Sequence, residues 1–239
     1  MTTMMKRSIL NLLPILLLGC SQVTGTIEKV QSQAVIQSQD KTIEIERLVK
    51  MIKTGDKEAR ESARNKLSGI SRTNPAVVVA LIRLLKDPDP YVRGSAVRAI
   101  GEMSGDKTPA IPHLIALLKD PDSRTRMNIP LVFALTPGSE KVGAPHLVSL
   151  LKDSDAGVRS NAEAALSMMG ERAKSVIPKL LALLKDSNAG VRSDAVKILG
   201  FMGKSAKSAI PSIIPLLKDP DAKVRSNATA ALKKLGHKP

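Results

Sequence analysis

Apolar residues recur along this chain at helical spacing, and the helices themselves recur. Ile43, Ile45, Leu48, Val49 and Ile52 fall on one face of a helix, for which Asp40 is the expected cap. Ala59, Ala63 and Leu67 mark a second helix starting at Asp56. Past this pair the pattern repeats. Leu-Leu-Lys-Asp stands at Leu84–Asp87, Leu117–Asp120, Leu150–Asp153, Leu183–Asp186 and Leu216–Asp219, each 33 residues after the last. The arginines Arg93, Arg126, Arg159, Arg192 and Arg225 keep the same step, and one step back lie Lys53 and Arg60. A fixed period of this size belongs to a stack of similar units in which each contacts only its neighbours. Six units of two helices each are predicted, within residues 41–239.

The punctuation agrees. Unit two is expected over Pro75–Lys86 and Asp89–Met103, and Pro112, Pro145, Pro178 and Pro211 open the first helices of units three to six. Asp56, Asp89, Asp122, Asp155, Asn188 and Asp221 are predicted N-caps of the second helices. Gly170, Gly203 and Gly236 are predicted to end the second helices of units four to six. Unit three departs from the pattern, because Pro130 falls inside its second helix and should break it. Unit one has Thr54 where the others have the turn aspartate, which suits a terminal cap.

Composition narrows the chemistry. The chain has 239 residues, 43% hydrophobic but only 1% aromatic, so its core is aliphatic. The net charge of +15 favours acidic partners. The shortage of rings argues against single-stranded nucleic acid, which stacks on aromatic side chains. One cysteine, Cys20, precludes an internal disulfide. It follows Lys6, Arg7 and an apolar run from Ile9 to Leu18, a basic-then-apolar order expected of a secretory signal. No catalytic constellation stands out. His113 and His146 are one repeat apart, and equivalent residues of stacked helices lie about 8–10 Å from each other, too far to share a metal. No catalytic residue, metal or cofactor is expected.

Two resemblances sharpen the expectations. The first twenty residues, ending Leu17-Leu18-Gly19-Cys20, resemble a bacterial lipoprotein signal. That resemblance implies a signal peptide over 1–19, lipidation at Cys20 and a flexible tether over 20–40. The chain would then be anchored in the cell envelope, at the outer membrane or the extracytoplasmic face of the inner one. The proline of the first helix, the turn aspartate, and Val92-Arg93, Val158-Arg159, Val191-Arg192 and Val224-Arg225 resemble HEAT repeats. They are closest to the HEAT-like repeats first named from phycobilin lyases. This implies an all-α, right-handed solenoid of about six helix pairs whose second helices line a concave surface. It also implies a structural ladder between units: Asp87, Arg93, Asp120, Arg126, Asp153, Arg159, Asp186, Arg192, Asp219 and Arg225.

Lys53, Lys86, Lys119, Lys152, Lys185 and Lys218 are expected to complement first-helix dipoles. The candidate partner-binding stripe lies on the second helices: Tyr91, Ser95, Arg98, Asn128, Asn161, Asp194, Lys197 and Asn227. The expected role is a non-catalytic, membrane-tethered scaffold holding an acidic protein partner. The alternatives are a bilin lyase-like subunit, whose basic groove would hold pigment propionates, and a nucleic-acid-binding solenoid. The signal-like start opposes both.

Overall fold

The computed structural model describes residues 39–70 and 76–237. The signal-like segment, Cys20, the tether up to residue 38 and Pro75 lie outside the described residues. The chain divides into two units, 1–47 and 48–239. Of the first, the described residues 39–47 are helical. They belong to helix α1, which runs through residue 54. Residues 39 and 40 already lie inside this helix, so Asp40 is not its cap and the tether does not extend to residue 40. No proline or glycine stands there to force a boundary.

The second unit is a stack of helices joined by turns, without strands among the described residues. In order, the helices are α2 (Lys57–Ile70), α3 (Ala76–Leu84), α4 (Pro90–Glu102), α5 (Ile111–Leu117), α6 (Ser123–Met127) and α7 (Ile129–Ala134). They continue with α8 (Glu140–Leu150), α9 (Ala156–Met169), α10 (Ile177–Leu183), α11 (Ala189–Phe201), α12 (Ile210–Ile213) and α13 (Ala222–Lys234). Second helices pack on one another in series, α2 on α4, α4 on α6 and α7, α7 on α9, α9 on α11, and α11 on α13. No helix among the described residues is long and apolar enough to cross a membrane.

Each second helix starts where a side-chain oxygen meets an orphan amide. Asp89 accepts from the amide of Tyr91, Asp122 from Arg124, Asp155 from Gly157 and Val158, Asn188 from Gly190, and Asp221 from Lys223 and Val224. Asp56 accepts from Ala59 at 2.8 Å. At the far ends, Gly170 and Gly203 take positive φ, 51° and 55°, so that the chain turns abruptly into the next unit. Pro112, Pro178 and Pro211 sit in the first turns of α5, α10 and α12. Pro145 does not open its helix: α8 begins five residues earlier at Glu140. The tight Pro137-Gly138 turn, with Gly138 at φ 84°, brings the chain into helical conformation sooner than the 3₁₀ turns of the neighbouring units do.

Unit three breaks where its proline dictates. Asn128 separates α6 from α7, and Pro130 occupies the first turn of α7. The break turns Phe133 fully inward, against Gly143, where a β-carbon would collide with the ring. Around it the core is aliphatic, with Ile52, Leu67, Leu81, Leu85, Ile100, Leu114, Leu147, Leu151, Leu166 and Leu180 all buried. Each such side chain contributes about 1.5–3 kcal/mol relative to exposure.

Candidate functional site

The turns that join first to second helices carry the inter-unit contacts. Arg93, Arg126 and Arg192 behave alike. The Nη1 of Arg93 donates to the carbonyls of Asp87 and Pro88 at 2.8 and 2.9 Å, which fixes the guanidinium. Its Nε and Nη2 then grip Asp120 of the next unit at 2.7 and 2.9 Å. Arg126 holds Asp153 in the same way at 2.8 and 2.7 Å, and Arg192 holds Asp219 at 2.9 and 2.8 Å. Such forked pairs are strong and directional. Each acceptor aspartate also takes an amide of its own turn, as Asp153 does from Asp155 at 2.9 Å. The Arg126 hydrogen bond to Asp153, and that of Arg192 to Asp219, hold these carboxyls below the usual range against the opposing effect of burial.

The ladder is not continuous. Arg159 is anchored by the carbonyls of Asp153 and Ser154, yet its fork does not hold Asp186. Asp186 pairs with Lys152 at 2.5 Å instead. At the first step Lys53 takes Asp87 at 2.9 Å. Arg60 there turns to the carbonyl of Gly55 and lies over the Tyr91 ring, 4.5 Å from its centroid. Burial pushes the Asp87 carboxyl up, but the hydrogen bond from Lys53 and the amide of Asp89 outweigh it and leave the net shift downward. Asp87 and Asp186 take a lysine ammonium where Asp120, Asp153 and Asp219 take an arginine fork. Two of the six lysines expected to serve only helix dipoles thus bridge units. Arg225 keeps its carbonyl anchors, Asp219 and Pro220, and is exposed.

The eight stripe residues divide. Tyr91, Ser95, Arg98 and Asn128 line one recess of about 160 Å³ on the second helices of the first three helix pairs. Arg64, Arg124, Glu61 and Met127 complete it. Arg64 is engaged by Glu102 at 3.1 Å and Arg124 by Asp122 at 2.6 Å. The hydrogen bond from Arg124 lowers the Asp122 carboxyl to about 2. Arg98 is exposed and has no carboxylate partner among the described residues. The recess therefore offers the unpaired guanidinium of Arg98, beside a tyrosine and two short polar side chains, to a carboxylate and an adjoining apolar group, with Glu61 as the one carboxylate of its lining.

The other four stripe residues are not in the recess. Asn161 donates across the unit boundary to the carbonyl of Met127 at 2.8 Å, and Asn227 to the Ser193 hydroxyl at 2.8 Å. Lys197 pairs with Glu163 at 3.0 Å, a partner missed at the sequence level. Asp194 lies nearby, and burial, then the Glu163 charge, push its carboxyl up. Arg124 was also missed, although it stands one repeat after Tyr91 and the period pointed to it. No cluster of metal ligands occurs among the described residues.

Comparison with known proteins bears on this architecture. No curated protein sequence matches the chain. Among solved structures, an engineered protein is similar at 24% identity over 80% of this chain and 96% of its own, with TM-score 0.53. Kap95p, solved with RanGDP, is similar at 17% identity over 80% of this chain and 30% of its own, with TM-score 0.61. A complex of CpcE and CpcF of phycocyanin lyase from Nostoc sp. PCC7120 is similar at 22% identity, over 81% and 77%, with TM-score 0.49. At these identities the likeness concerns the fold alone. A family model of HEAT repeats matches residues 45–129 and 177–239, well over half of the sequence. With the period, the caps and the forked Asp–Arg contacts in agreement, the chain belongs to the HEAT-repeat family.

Proposed function

We propose that this protein is a non-catalytic scaffold that holds an acidic protein partner on its second-helix surface, at the face of a bacterial membrane to which lipid on Cys20 anchors it. The observation that carries the binding reading is the recess at Tyr91, Ser95, Arg98 and Asn128, where Arg98 is exposed without a carboxylate of its own. An acidic side chain of a partner supplies what Arg98 lacks, and a neighbouring apolar group packs on Tyr91. The excess of cations over the whole chain steers such a partner toward the surface. The envelope location rests on the lipoprotein-like order of residues 6–20. Several acyl chains at ~0.8 kcal/mol per buried methylene make attachment stable.

Arg98 is the residue to change. Lys197 is a poor companion, since Glu in its place would face Glu163 and Asp194. Full-length chain is cross-linked in cells and recovered from the envelope, as wild type, Arg98→Glu and Cys20→Ser. The expected result is one acidic partner retained by the wild type and lost in Arg98→Glu at unchanged helical circular dichroism, with membrane recovery lost in Cys20→Ser. Equal retention of that partner by Arg98→Glu overturns the binding surface. Membrane recovery of Cys20→Ser equal to wild type overturns the anchor.

A further inference from the structure

The C-terminal ends of the second helices carry a line of exposed apolar side chains. Leu135, Met168 and Phe201 occupy one repeat position in three successive units. They are 47%, 53% and 43% exposed, and no other repeat position carries an exposed large apolar side chain in three successive units among the described residues. The line is continuous in space. Arg172, just beyond α9, donates to the carbonyl of Ala134, the neighbour of Leu135, at 3.1 Å. A β-carbon added at Gly170 would lie 3.3 Å from the Phe201 carbonyl oxygen, so the ends of α9 and α11 adjoin. At the next repeat position stands Lys234, its ammonium 3.4 Å from the centroid of the Phe201 ring.

Both margins of this ridge have a distinct chemistry. At the Leu135 end the surface falls into a recess of about 480 Å³ lined by Ile111, Pro112, Ile115, Pro137 and Val142. A smaller cavity walled by Leu135 shares Thr136 and Pro137 with it. Along the loop side, Lys174, Lys204 and Lys207 sit exposed on the turns that follow α9 and α11. No carboxylate among the described residues forms an ion pair with these three lysines or with Lys234.

We propose that this ridge docks an amphipathic α-helix of the protein partner, apolar on the face it presents and acidic along its border. The spacing fits. Stacked helices repeat every 8–10 Å or so, and seven residues of an α-helix advance about 10.5 Å. Apolar residues seven apart on the incoming helix therefore fall on Leu135, Met168 and Phe201 in turn. Apolar side chains at its leading end enter the recess, and its border carboxylates meet the unpaired lysines. Met168, unbranched and flexible, adapts to the shape of the incoming side chains. A bilayer makes the poorer occupant, because a lipid surface meets what protrudes and leaves the recess empty. This deepens the scaffold reading and rests on it: Arg98 lies one helical turn before Glu102, the residue that continues the ridge into unit two.

The test uses the full chain and a fluorescein-labelled synthetic helix of about three heptads, ~30 Å long, with leucine on one face and glutamate elsewhere. Controls are a scrambled peptide, a lysine-for-glutamate peptide and vesicles of phosphatidylglycerol. Anisotropy should report saturable binding of the glutamate helix only. Binding should weaken about tenfold or more in Met168→Asp and Phe201→Asp, exposed positions whose folding circular dichroism checks. Lys204→Glu with Lys207→Glu should weaken it without touching the apolar ridge. No binding of the glutamate helix, or equal binding by the two Asp variants, overturns the ridge. Vesicle binding that those variants abolish, without helix binding, assigns the ridge to lipid and also overturns it. If the glutamate helix fails while the cellular partner is still retained through Arg98, the ridge alone is wrong and the scaffold reading stands.

Discussion

Asp194 and Asn161 occupy the same repeat position one unit apart, and a single atom separates their fates. The Asn161 amide donates to the carbonyl of Met127, and Asn227, one step further, donates to Ser193. An ionised Asp194 has no proton to donate, and it faces Glu163 besides. Its carboxyl is raised by burial first and by Glu163 second. The sign follows from linkage. An acid whose folded pKa lies above its unfolded one contributes stability that is complete below the unfolded value and lost as pH rises through the folded value. Asp194→Asn should therefore raise the melting temperature at pH 7 by about 2–4 °C, the effect of one net hydrogen bond of ~1 kcal/mol. The gain should shrink as the pH falls to about 4, the ordinary carboxylate value, because the raised carboxyl takes up its proton at a higher pH than an unperturbed aspartate. An equal gain at both pH values contradicts this. The sequence showed a polar stripe, but not which of its amides turn inward. Polarity is local, whereas the acceptor at Met127 lies in another unit.

At the scale of the helix, the sequence was most legible where structure is set within a few residues. Six caps, Gly170 and Gly203, and the interruption at Pro130 follow from side chains next to the backbone they satisfy or obstruct. Asp155→Ala should cost about 1 kcal/mol by denaturant unfolding, since its carboxylate accepts from Gly157 at 2.8 Å and Val158 at 3.1 Å. No loss would mean that α9 is held by packing alone. Legibility failed where the cause is distant. That Phe133 swings into the core depends on Gly143, and that Pro145 lies inside α8 depends on the turn at Pro137-Gly138. The start of α1 before Asp40 was missed because nothing in the sequence there marks a boundary.

In the stack of units, the period revealed the ladder positions but not which cation fills each one. Arg126 and Arg159 have equivalent carbonyl anchors in their own turns, and of the two only Arg126 also grips a carboxylate. Removing one partner of a well-buried pair costs about 3–5 kcal/mol. Arg126→Met should therefore unfold at clearly lower denaturant than Arg159→Met, with a difference on the order of 2 kcal/mol or more. Equal losses would show that the carbonyl anchoring within each turn, and not the grip on the next unit, carries the arginine's contribution. The ladder carboxyls of Asp87, Asp153, Asp186 and Asp219 are held below the ordinary range. Their contribution is present above a pH of about 4 and fades as pH falls through their depressed values, so acid should loosen unit from unit.

The central claim is that the second-helix surface is the working face. A photo-crosslinking amino acid placed in cells at Ser95 and Met168 on second helices, and at Val79 and Lys179 on first helices, tests it most directly. All four sites are at least partly exposed. The account predicts one discrete protein adduct from Ser95 and Met168, lost on adding Arg98→Glu, and none from Val79 or Lys179. Adducts from the first-helix positions alone, or equally from both faces, would contradict it.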